Sequence, residues 1–429
     1  MQAGAQPGVR AGAAQLVVTP PLDVQRGRPG RRLDEPTEGV HDDLVARALV
    51  VESLGVTVAV ITCDAIGIPG MAFTQRVRAL VAEACGIPGE HLLVAATHAH
   101  STPWTLNLHD ADIDDAWLET WAHQLASAAE LAARRLAAAS MHHASRELQL
   151  AENRRVVCAD GRVYKNWVRP KPAAVVRQHP IDPELGLLWF EHLDGRPLAL
   201  LANYAMHPVT VMSMPFYSAD YPGVACRLLE GVYGAGFVAL FANGATADVN
   251  PPNVRKRWDD AWQTGLVVGG AMLQGSAATQ LLLHRQGEQT AASAAMPIAA
   301  RTRRITPPYR PVPPSETGRQ AILSAQLAAV VADGEPLEIQ VLRLGDLALV
   351  GVPGELFCEI GLAIKQQSPA PRTLVIGFAN SYQGYFPTPV AYEEGDYEVM
   401  PAPWSRYTAE AGQQIEATAL ALLRECFPD

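Results

Sequence analysis

The sequence has 429 residues, 48% of them hydrophobic and 18% charged, with 34 Lys and Arg against 44 Asp and Glu for a net charge of −10. The apolar fraction is sufficient for a folded core, and the acidic balance argues against a nucleic-acid-binding protein because it repels phosphates. The densest basic runs, residues 26–32 and 301–304, are short and interrupted, as is typical of solvated loops.

Short β-rich runs alternate with helical stretches along the chain. In chain order we predict strands at residues 15–18, 49–53 and 56–62, a helix at 73–85, a strand at 92–96, a helix at 116–139, strands at 147–151, 187–191 and 198–205, a helix at 219–232, a strand at 237–242, helices at 264–284 and 316–331, strands at 338–344 and 347–352, a helix at 356–367, a strand at 373–378 and a helix at 408–426. Such alternation predicts an α/β fold. The Pro-rich segment 305–314 is interpreted as an internal crossover, since apolar elements resume on both sides.

The sequence contains no segment typical of a membrane span or a secretory leader. No run reaches the roughly 18 uninterrupted apolar residues that a membrane helix requires, and the N-terminus lacks an apolar block. The six cysteines are scattered without a CxxC pair, which favours small buried hydrophobes in a reducing compartment. We therefore expect a cytoplasmic protein.

Two histidines, His98 and His100, directly follow the predicted strand 92–96. Side chains two residues apart in extended backbone project from the same face, so the two rings can converge on one point. Imidazole is the commonest metal ligand in proteins, and clefts form at strand ends in α/β sheets. The pair is a candidate metal site, although the same pattern fits two polar residues leaving a strand for solvent.

Four further features could contribute chemistry. His207 follows the predicted strand 198–205, and Glu355 follows a tight turn and opens a helix. A polar turn occupies 243–251, and the stretch 380–398 holds four tyrosines among Gly, Pro and acidic residues. Each has an ordinary explanation on its own: a core histidine, complementation of a helix dipole, a turn signal, and a surface strand pair or a lid.

These features become specific when they are taken together and in order. From about residue 10 to about residue 400 the sequence contains Gly12-Ala13-Ala14, Thr19-Pro20-Pro21, His41-Asp42-Asp43, Thr97-His98-Ala99-His100-Ser101, Glu152-Asn153-Arg154, His207-Pro208, Ser218-Ala219-Asp220-Tyr221-Pro222-Gly223, Asp248-Val249-Asn250-Pro251, Pro353-Gly354-Glu355, Ala379-Asn380-Ser381-Tyr382 and Tyr397-Glu398. This ordered set resembles the catalytic domain of the neutral (alkaline, non-lysosomal) ceramidases.

The resemblance implies a fold, a cofactor and a set of site residues. The fold would be α/β, with mixed sheets and flanking helices, as one zinc hydrolase domain over residues 1–429. That domain would end in a helix over 401–429, without the C-terminal β-sandwich domain of the family. The resemblance implies one zinc ion per chain, with the ligands His98, His207, Glu355 and Tyr392. It implies catalytic roles for His100, Arg154 and Tyr397, and supporting or substrate contacts for Asp220, Asp248 and Asn250.

The implied reaction is zinc-dependent hydrolysis of an amide bond in an N-acylated small molecule. The residues themselves would serve an ester or a lactone equally well. Asn250 stands where the family carries serine, which removes a hydroxyl near the substrate, so the chain need not act on ceramide itself. Two alternatives remain: an amidohydrolase-type barrel with HxH on its first strand, and a degenerate family member that only binds a ligand. The sequence leaves the oligomeric state open.

Overall fold

An eight-stranded mixed sheet forms the centre of the fold. The computed structural model describes residues 8–22, 37–106, 108, 113–168, 170–212, 214–254, 257–285, 294–313 and 317–428. The sheet contains, in spatial order, β14 (Val238–Asn243), β12 (Pro197–Tyr204), β11 (Glu184–His192), β6 (Ala137–Glu147), β1 (Arg10–Val17), β3 (Val45–Ser53), β4 (Val56–Cys63) and β5 (Leu92–Ala96). The outermost pairs, β12 with β14 and β4 with β5, are parallel, and the inner pairs are antiparallel.

A second, four-stranded sheet packs face to face on the first. Its spatial order is β16 (Ile298–Ile305), β17 (Leu337–Leu344), β18 (Leu347–Gly351) and β20 (Arg372–Ile376). The two sheets share one apolar core, in which Val51 and Val60 lie in the same cluster as Leu342. The alternating residues Val50 and Ile61 belong instead to the core beneath the helices, as the two-residue period of a strand requires.

Helices cover the outer faces of both sheets. The helices are α1 (Met71–Cys85), α2 (Asp115–Arg134), α3 (Asp220–Tyr233), α4 (Trp258–Arg285), α5 (Gly318–Asp333), α6 (Cys358–Gln367), α7 (Pro389–Glu394) and α8 (Glu410–Cys426). The large sheet carries α1 and α2 at one end and α3 and α4 at the other, whereas α6 and α8 pack on the small sheet. The prediction of an α/β fold with mixed sheets and flanking helices is confirmed, and the barrel alternative is wrong.

Nine short strands lie outside the two main sheets. They are β2 (Gly39–Val40), β7 (Glu152–Asn153), β8 (Arg155–Cys158), β9 (Val163–Lys165), β10 (Val175–Gln178), β13 (Phe216–Tyr217), β15 (Val249–Asn250), β19 (Glu355–Leu356) and β21 (Tyr385–Phe386) within the described ranges. β10, β8 and β9 form a small sheet, and β15 pairs with β7 and β19 with β21. These short ladders fix the loops that carry the candidate site.

The largest departure from the predicted elements concerns residues 134–151. The helix predicted to reach residue 139 ends at Arg134, and the strand predicted at 147–151 lies instead at Ala137–Glu147, as β6. The alanine run continues past the helix end, so helical propensity alone does not mark the boundary. Strand pairing sets the boundary, because β6 pairs along nearly its whole length with β11 and also pairs with β1.

Three smaller predictions can be compared with the structure. The basic run 301–304 lies in β16, where Arg303 and Arg304 pair with Glu425 and Glu338, whereas the run 26–32 lies outside the described residues. All six cysteines are free, and all except Cys85 are buried, as expected. None of the described helices is both long enough and apolar enough to span a membrane.

Candidate metal centre

His98 follows β5 in an unusual backbone conformation. Its φ is 66°, in the left-handed region that non-glycine residues seldom adopt, and its side chain is buried. Nδ1 lies 2.6 Å from the carbonyl oxygen of Ile66, and the ring stacks on Phe378 with centroids 3.9 Å apart. Because a carbonyl oxygen accepts only, Nδ1 carries the hydrogen in the neutral ring and Nε2 presents a lone pair.

His207 follows β12 and is oriented in the same way. Its Nδ1 lies 2.7 Å from the carbonyl oxygen of Thr246, and its backbone N–H donates to Val249. Burial lowers the pKa of His207 to about 3 and the pKa of His98 well below its ordinary value. Both rings are therefore neutral near pH 7, and each directs an unprotonated Nε2 into the same space.

Glu355 brings a carboxylate to these two nitrogens. It opens β19 after Gly354, whose φ is 144°, and a Cβ at Gly354 would lie 2.5 Å from the carbonyl oxygen of Gly384, so glycine is required there. Oε1 of Glu355 accepts a hydrogen bond from the Tyr382 hydroxyl at 2.6 Å. Oε2 is buried, makes no hydrogen bond to any residue that the structure describes, and lies 3.3 Å from Nε2 of His207 and 3.7 Å from Nε2 of His98.

The cluster is therefore a set of converging lone pairs without protons between them. Two imidazole nitrogens and a carboxylate oxygen in a buried site would repel one another unless a cation lies among them. Nε2 of His100 lies within hydrogen-bond distance, 3.3 Å, of the lone pair on Nε2 of His98, and the ligand atoms of His98, His100 and His207 lie within 4.8 Å of one another. Two histidines and a glutamate form a ligand set found in catalytic zinc sites, so these residues fit a divalent metal ion.

A cation and a phenol lie beside this cluster. Arg154 is buried, and its Nη2 donates to the Tyr385 hydroxyl at 3.1 Å. Tyr385 is paired with Glu355 across the short ladder of β19 and β21, which brings Arg154 toward the cluster. Burial raises the pKa of Tyr385 well above its usual value, so the phenol is protonated near neutral pH while the cluster holds no cation.

His100 and Tyr397 lie at the more accessible side of the site. His100 is partly exposed, its Nδ1 has no hydrogen-bond partner among the described residues, and burial lowers its pKa well below the ordinary value. Tyr397 is 39% exposed, and its ring approaches that of Tyr385 edge-on at 6.0 Å. The cluster is thus closed on the side of Glu355 and approached from the side of His100 and Tyr397.

The sequence and the fold both have known counterparts. The sequence matches no family model. It is 24% identical to the neutral ceramidase of Pseudomonas aeruginosa over 473 aligned residues, which cover 92% of this chain and 69% of that protein. A solved structure described as ceramidase complexed with C2 superposes with a TM-score of 0.77 at 20% identity, over 98% of this chain and 76% of the other. The solved neutral ceramidase from Pseudomonas aeruginosa gives 0.75 at 21% identity, over 97% and 75%. This chain therefore shares the fold of the solved neutral ceramidase and is similar to it in sequence.

Tyr392, predicted as a metal ligand, makes its contacts outside the cluster of His98, His207 and Glu355. The Tyr392 hydroxyl donates to the carbonyl oxygen of Tyr407 at 2.9 Å, and Arg310 lies over its ring at 5.8 Å. Within the described residues, no contact joins Tyr392 to His98, His207 or Glu355. The phenols that reach this part of the site are Tyr382, bonded to Glu355, and Tyr385, bonded to Arg154.

The predicted supporting residues Asp220 and Asp248 brace the loops of the candidate site. Asp220 accepts hydrogen bonds from Thr210 and from the backbone of Val211, which hold the turn after His207. Asp248 accepts from the backbone of Cys358 at 2.9 Å and from the side chain of Asn153 at 2.7 Å, and so connects the loops of Glu355 and Arg154.

The segment 246–250 connects three parts of the site. Carbonyl oxygens of Thr246 and Asp248 accept from Nδ1 of His207 and from the backbone N–H of Arg154. Asn250 is buried, pairs with Glu152 between β15 and β7, and its Oδ1 has no partner in the part of the chain that the structure describes. A short turn therefore holds His207 and Arg154 in a fixed relation.

Sequence reasoning did not assign roles to Phe378, Tyr382 and Tyr385. Phe378 supports the ring of His98, and the two tyrosines contact Glu355 and Arg154. The stretch 380–398 contains four tyrosines, but its local pattern does not indicate which rings face inward. The pairing of Glu355 with Tyr385 decides which rings face the site, and the two residues are distant in the sequence.

Proposed function

We propose that this chain is a zinc-dependent hydrolase that cleaves an amide bond of an N-acylated small molecule. The proposal rests on the convergence of the unprotonated Nε2 atoms of His98 and His207 on Oε2 of Glu355, an oxygen with no hydrogen-bond partner among the described residues. The likeness to proteins named neutral ceramidase supports an amide as the bond that is cleaved.

His98, His207 and Glu355 would hold the metal, and Tyr382 or Tyr385 is the phenol nearest to them. When bound, zinc lowers the pKa of a water molecule toward 7 and polarises a carbonyl group, which makes water an effective nucleophile. The backbone carbonyls of Ile66 and Thr246 keep the two rings in the tautomer that this role needs.

The remaining side chains provide the other requirements of amide hydrolysis. Arg154 carries a permanent positive charge in a buried site and stabilises the negative charge that develops on the scissile carbonyl oxygen. His100 is neutral and orients the attacking water through a ring nitrogen. Tyr397, whose pKa burial raises, is protonated; it donates this proton to the leaving nitrogen and takes up the proton that the attacking water releases. Water is thereby added across the C–N bond, with hydroxyl on carbon and hydrogen on nitrogen.

Two alternatives use the same side chains. An ester or a lactone presents the same carbonyl carbon with a better leaving group, so its hydrolysis needs less assistance from Tyr397. A ligand-binding protein without activity would need none of the converging lone pairs that Glu355 and the two histidines supply. The amide hydrolase is preferred because Arg154 and Tyr397 lie beside the cluster.

The first test measures metal and activity on the same preparation. Protein purified without added zinc should contain about one zinc per chain and hydrolyse some member of a panel of N-acyl amino acids, N-acyl amines, esters and lactones. His98→Ala and His207→Ala should lose both metal and activity. His142→Ala is the matched control, because His142 pairs with Glu191 outside the cluster. Well-folded wild-type protein that binds no zinc would refute the proposal.

A further inference from the structure

Glu398 is a fully buried carboxylate that holds three cations next to the candidate metal centre. Its Oε1 accepts from Nε of Arg154 at 2.7 Å and from Nζ of Lys165 at 2.6 Å. Its Oε2 accepts from Nη1 of Arg155 at 2.7 Å. Charge-assisted hydrogen bonds of this kind are short and directional, and without the carboxylate three positive charges would face one another in a buried space.

The contact with Glu398 sets the direction of the Arg154 guanidinium. That group is planar, and its Nε is held by Glu398 while its Nη2 is held by the Tyr385 hydroxyl. Two anchor points on a planar group restrict both its position and its rotation. The backbone of Arg154 is fixed as well, through its N–H to the carbonyl of Asp248 at 2.7 Å.

An unusual backbone conformation before Glu398 directs this side chain toward Arg154. Gly395 and Asp396 have φ values of 79° and 82°, and the second is rare for a residue with a side chain. Asp396 also pairs with Lys165 at 2.7 Å, which ties the turn to the same set of charges. The 3₁₀ turn that follows, Tyr397–Val399, places Tyr397 and Glu398 in succession beside the site.

We infer that Glu398 is a positioning residue, which acts through Arg154 by holding its guanidinium toward Tyr385 and the scissile carbonyl. This role rests on the proposed function for its effect on rate, but the orientation of Arg154 by Glu398 is independent of the bond that is cleaved. A misdirected guanidinium loses most of its stabilisation of the transition state. Removal of Glu398 therefore lowers kcat more than it weakens substrate binding.

Kinetics of Glu398→Gln provide the first test, on the amide that the wild type hydrolyses fastest. We expect kcat to fall about 10- to 100-fold, with KM changed less than about threefold and zinc content unchanged. Glu398→Asp keeps the charge with a shorter reach and should recover part of the rate. Glu394→Gln is the matched control: Glu394 pairs with Arg155 and His179, and no described contact joins it to Arg154. Wild-type kcat in both Glu398 variants would overturn the inference.

A double-mutant comparison distinguishes positioning from a general loss of structure. If Glu398 acts through Arg154, Glu398→Gln should reduce kcat of the Arg154→Ala enzyme by less than about twofold. A full 10- to 100-fold further loss in that background would mean that Glu398 acts by another route, and would overturn the inference.

A spectroscopic readout tests the orientation without any assay of activity. In ¹⁵N-labelled protein, the Nε–H signal of Arg154, assigned by its absence in Arg154→Lys, should be protected from exchange in the wild type and in Glu394→Gln. It should shift and lose protection in Glu398→Gln. An unchanged signal in a folded Glu398→Gln protein would overturn the inference. Absence of zinc or of hydrolysis in the wild type would instead count against the proposed function alone.

Discussion

Nε2 of His207 lies 3.3 Å from Oε2 of Glu355, and neither atom carries a proton to join them. The ring hydrogen of His207 is on Nδ1, where it is donated to Thr246. Oε2 of Glu355 finds no other hydrogen-bond donor in the described chain. The fold therefore keeps two buried acceptors in contact, which destabilises the metal-free protein and favours the metal-bound one.

Glu355→Gln should be more stable than the wild type without metal and less stable than the wild type with zinc. The amide nitrogen can donate to Nε2 of His207, so in EDTA the variant should be more stable than the wild type by about 1–3 kcal/mol. In saturating zinc the wild type should be the more stable, because only its carboxylate binds the metal strongly. Urea denaturation under both conditions measures this. Glu191→Gln alters the pair with His142, and its effect on the free energy of unfolding should have the same sign in EDTA and in zinc.

Tyr392→Phe should reduce stability without changing kcat, whereas Tyr385→Phe should reduce kcat. Loss of the bond from Tyr392 to the carbonyl of Tyr407 should cost about 1 kcal/mol of stability and leave zinc content and kcat unchanged. Loss of the Tyr385 hydroxyl leaves Nη2 of Arg154 without its partner and should lower kcat about 10- to 100-fold. Metal analysis and steady-state kinetics on both proteins decide the matter. Equal kinetic effects would contradict this assignment of the two phenols.

These tyrosines mark the limit of prediction from sequence. The spacing of His98 and His100 at a strand end indicated a candidate metal site, and the structure brings both rings together. His207 and Glu355 are predicted as further ligands only from the resemblance of the ordered motifs to a known family, because each alone fits an ordinary loop or helix start. Whether a tyrosine in 380–398 faces the site depends on the ladder between β19 and β21, whose partners lie 30 residues apart in sequence, Glu355 with Tyr385.

The same limit applies to the main sheets. Short strands such as β4 and β5 were predictable, because both are apolar runs between turn signals and β4 is rich in β-branched residues. The boundary between α2 and β6 was not, since an alanine-rich segment is compatible with both states. There the pairing partners of β6, distant in the chain, decide the conformation.

Asn250→Ser should change the preference for substrates. Asn250 is buried, and its Oδ1 has no hydrogen-bond partner in the described structure. Serine is smaller and restores a hydroxyl at this position, so the variant should gain activity on N-acyl sphingoid amides relative to a short N-acyl amino acid. The ratio of kcat/KM for the two substrates is the measurement, and the second substrate is the internal control. An unchanged ratio would mean that Asn250 does not contact the substrate.

The pH dependence of stability should report on His179, which lies outside the metal centre. Its Nδ1 donates to Glu359 at 3.0 Å and its Nε2 to Glu394 at 2.9 Å, so the ring is held as an imidazolium between two carboxylates. The hydrogen bond to Glu359, together with the charge of Glu394, raises the pKa of His179 above 6.5. The folded state thus binds this proton more tightly than the unfolded state.

The stabilisation from His179 should be complete below about pH 6.5 and disappear as the pH rises through the raised pKa of the folded protein. Since His179 joins the end of β10 to α6 and α7, the hydrogen-exchange rate of amides in β8–β10, corrected for the intrinsic pH dependence of exchange, should rise over the same interval. His179→Asn should abolish this corrected rise. His91→Asn is the control, because His91 bonds the backbone carbonyl of Thr57 instead of a carboxylate. If the rise persists in His179→Asn, another group controls the opening of this small sheet.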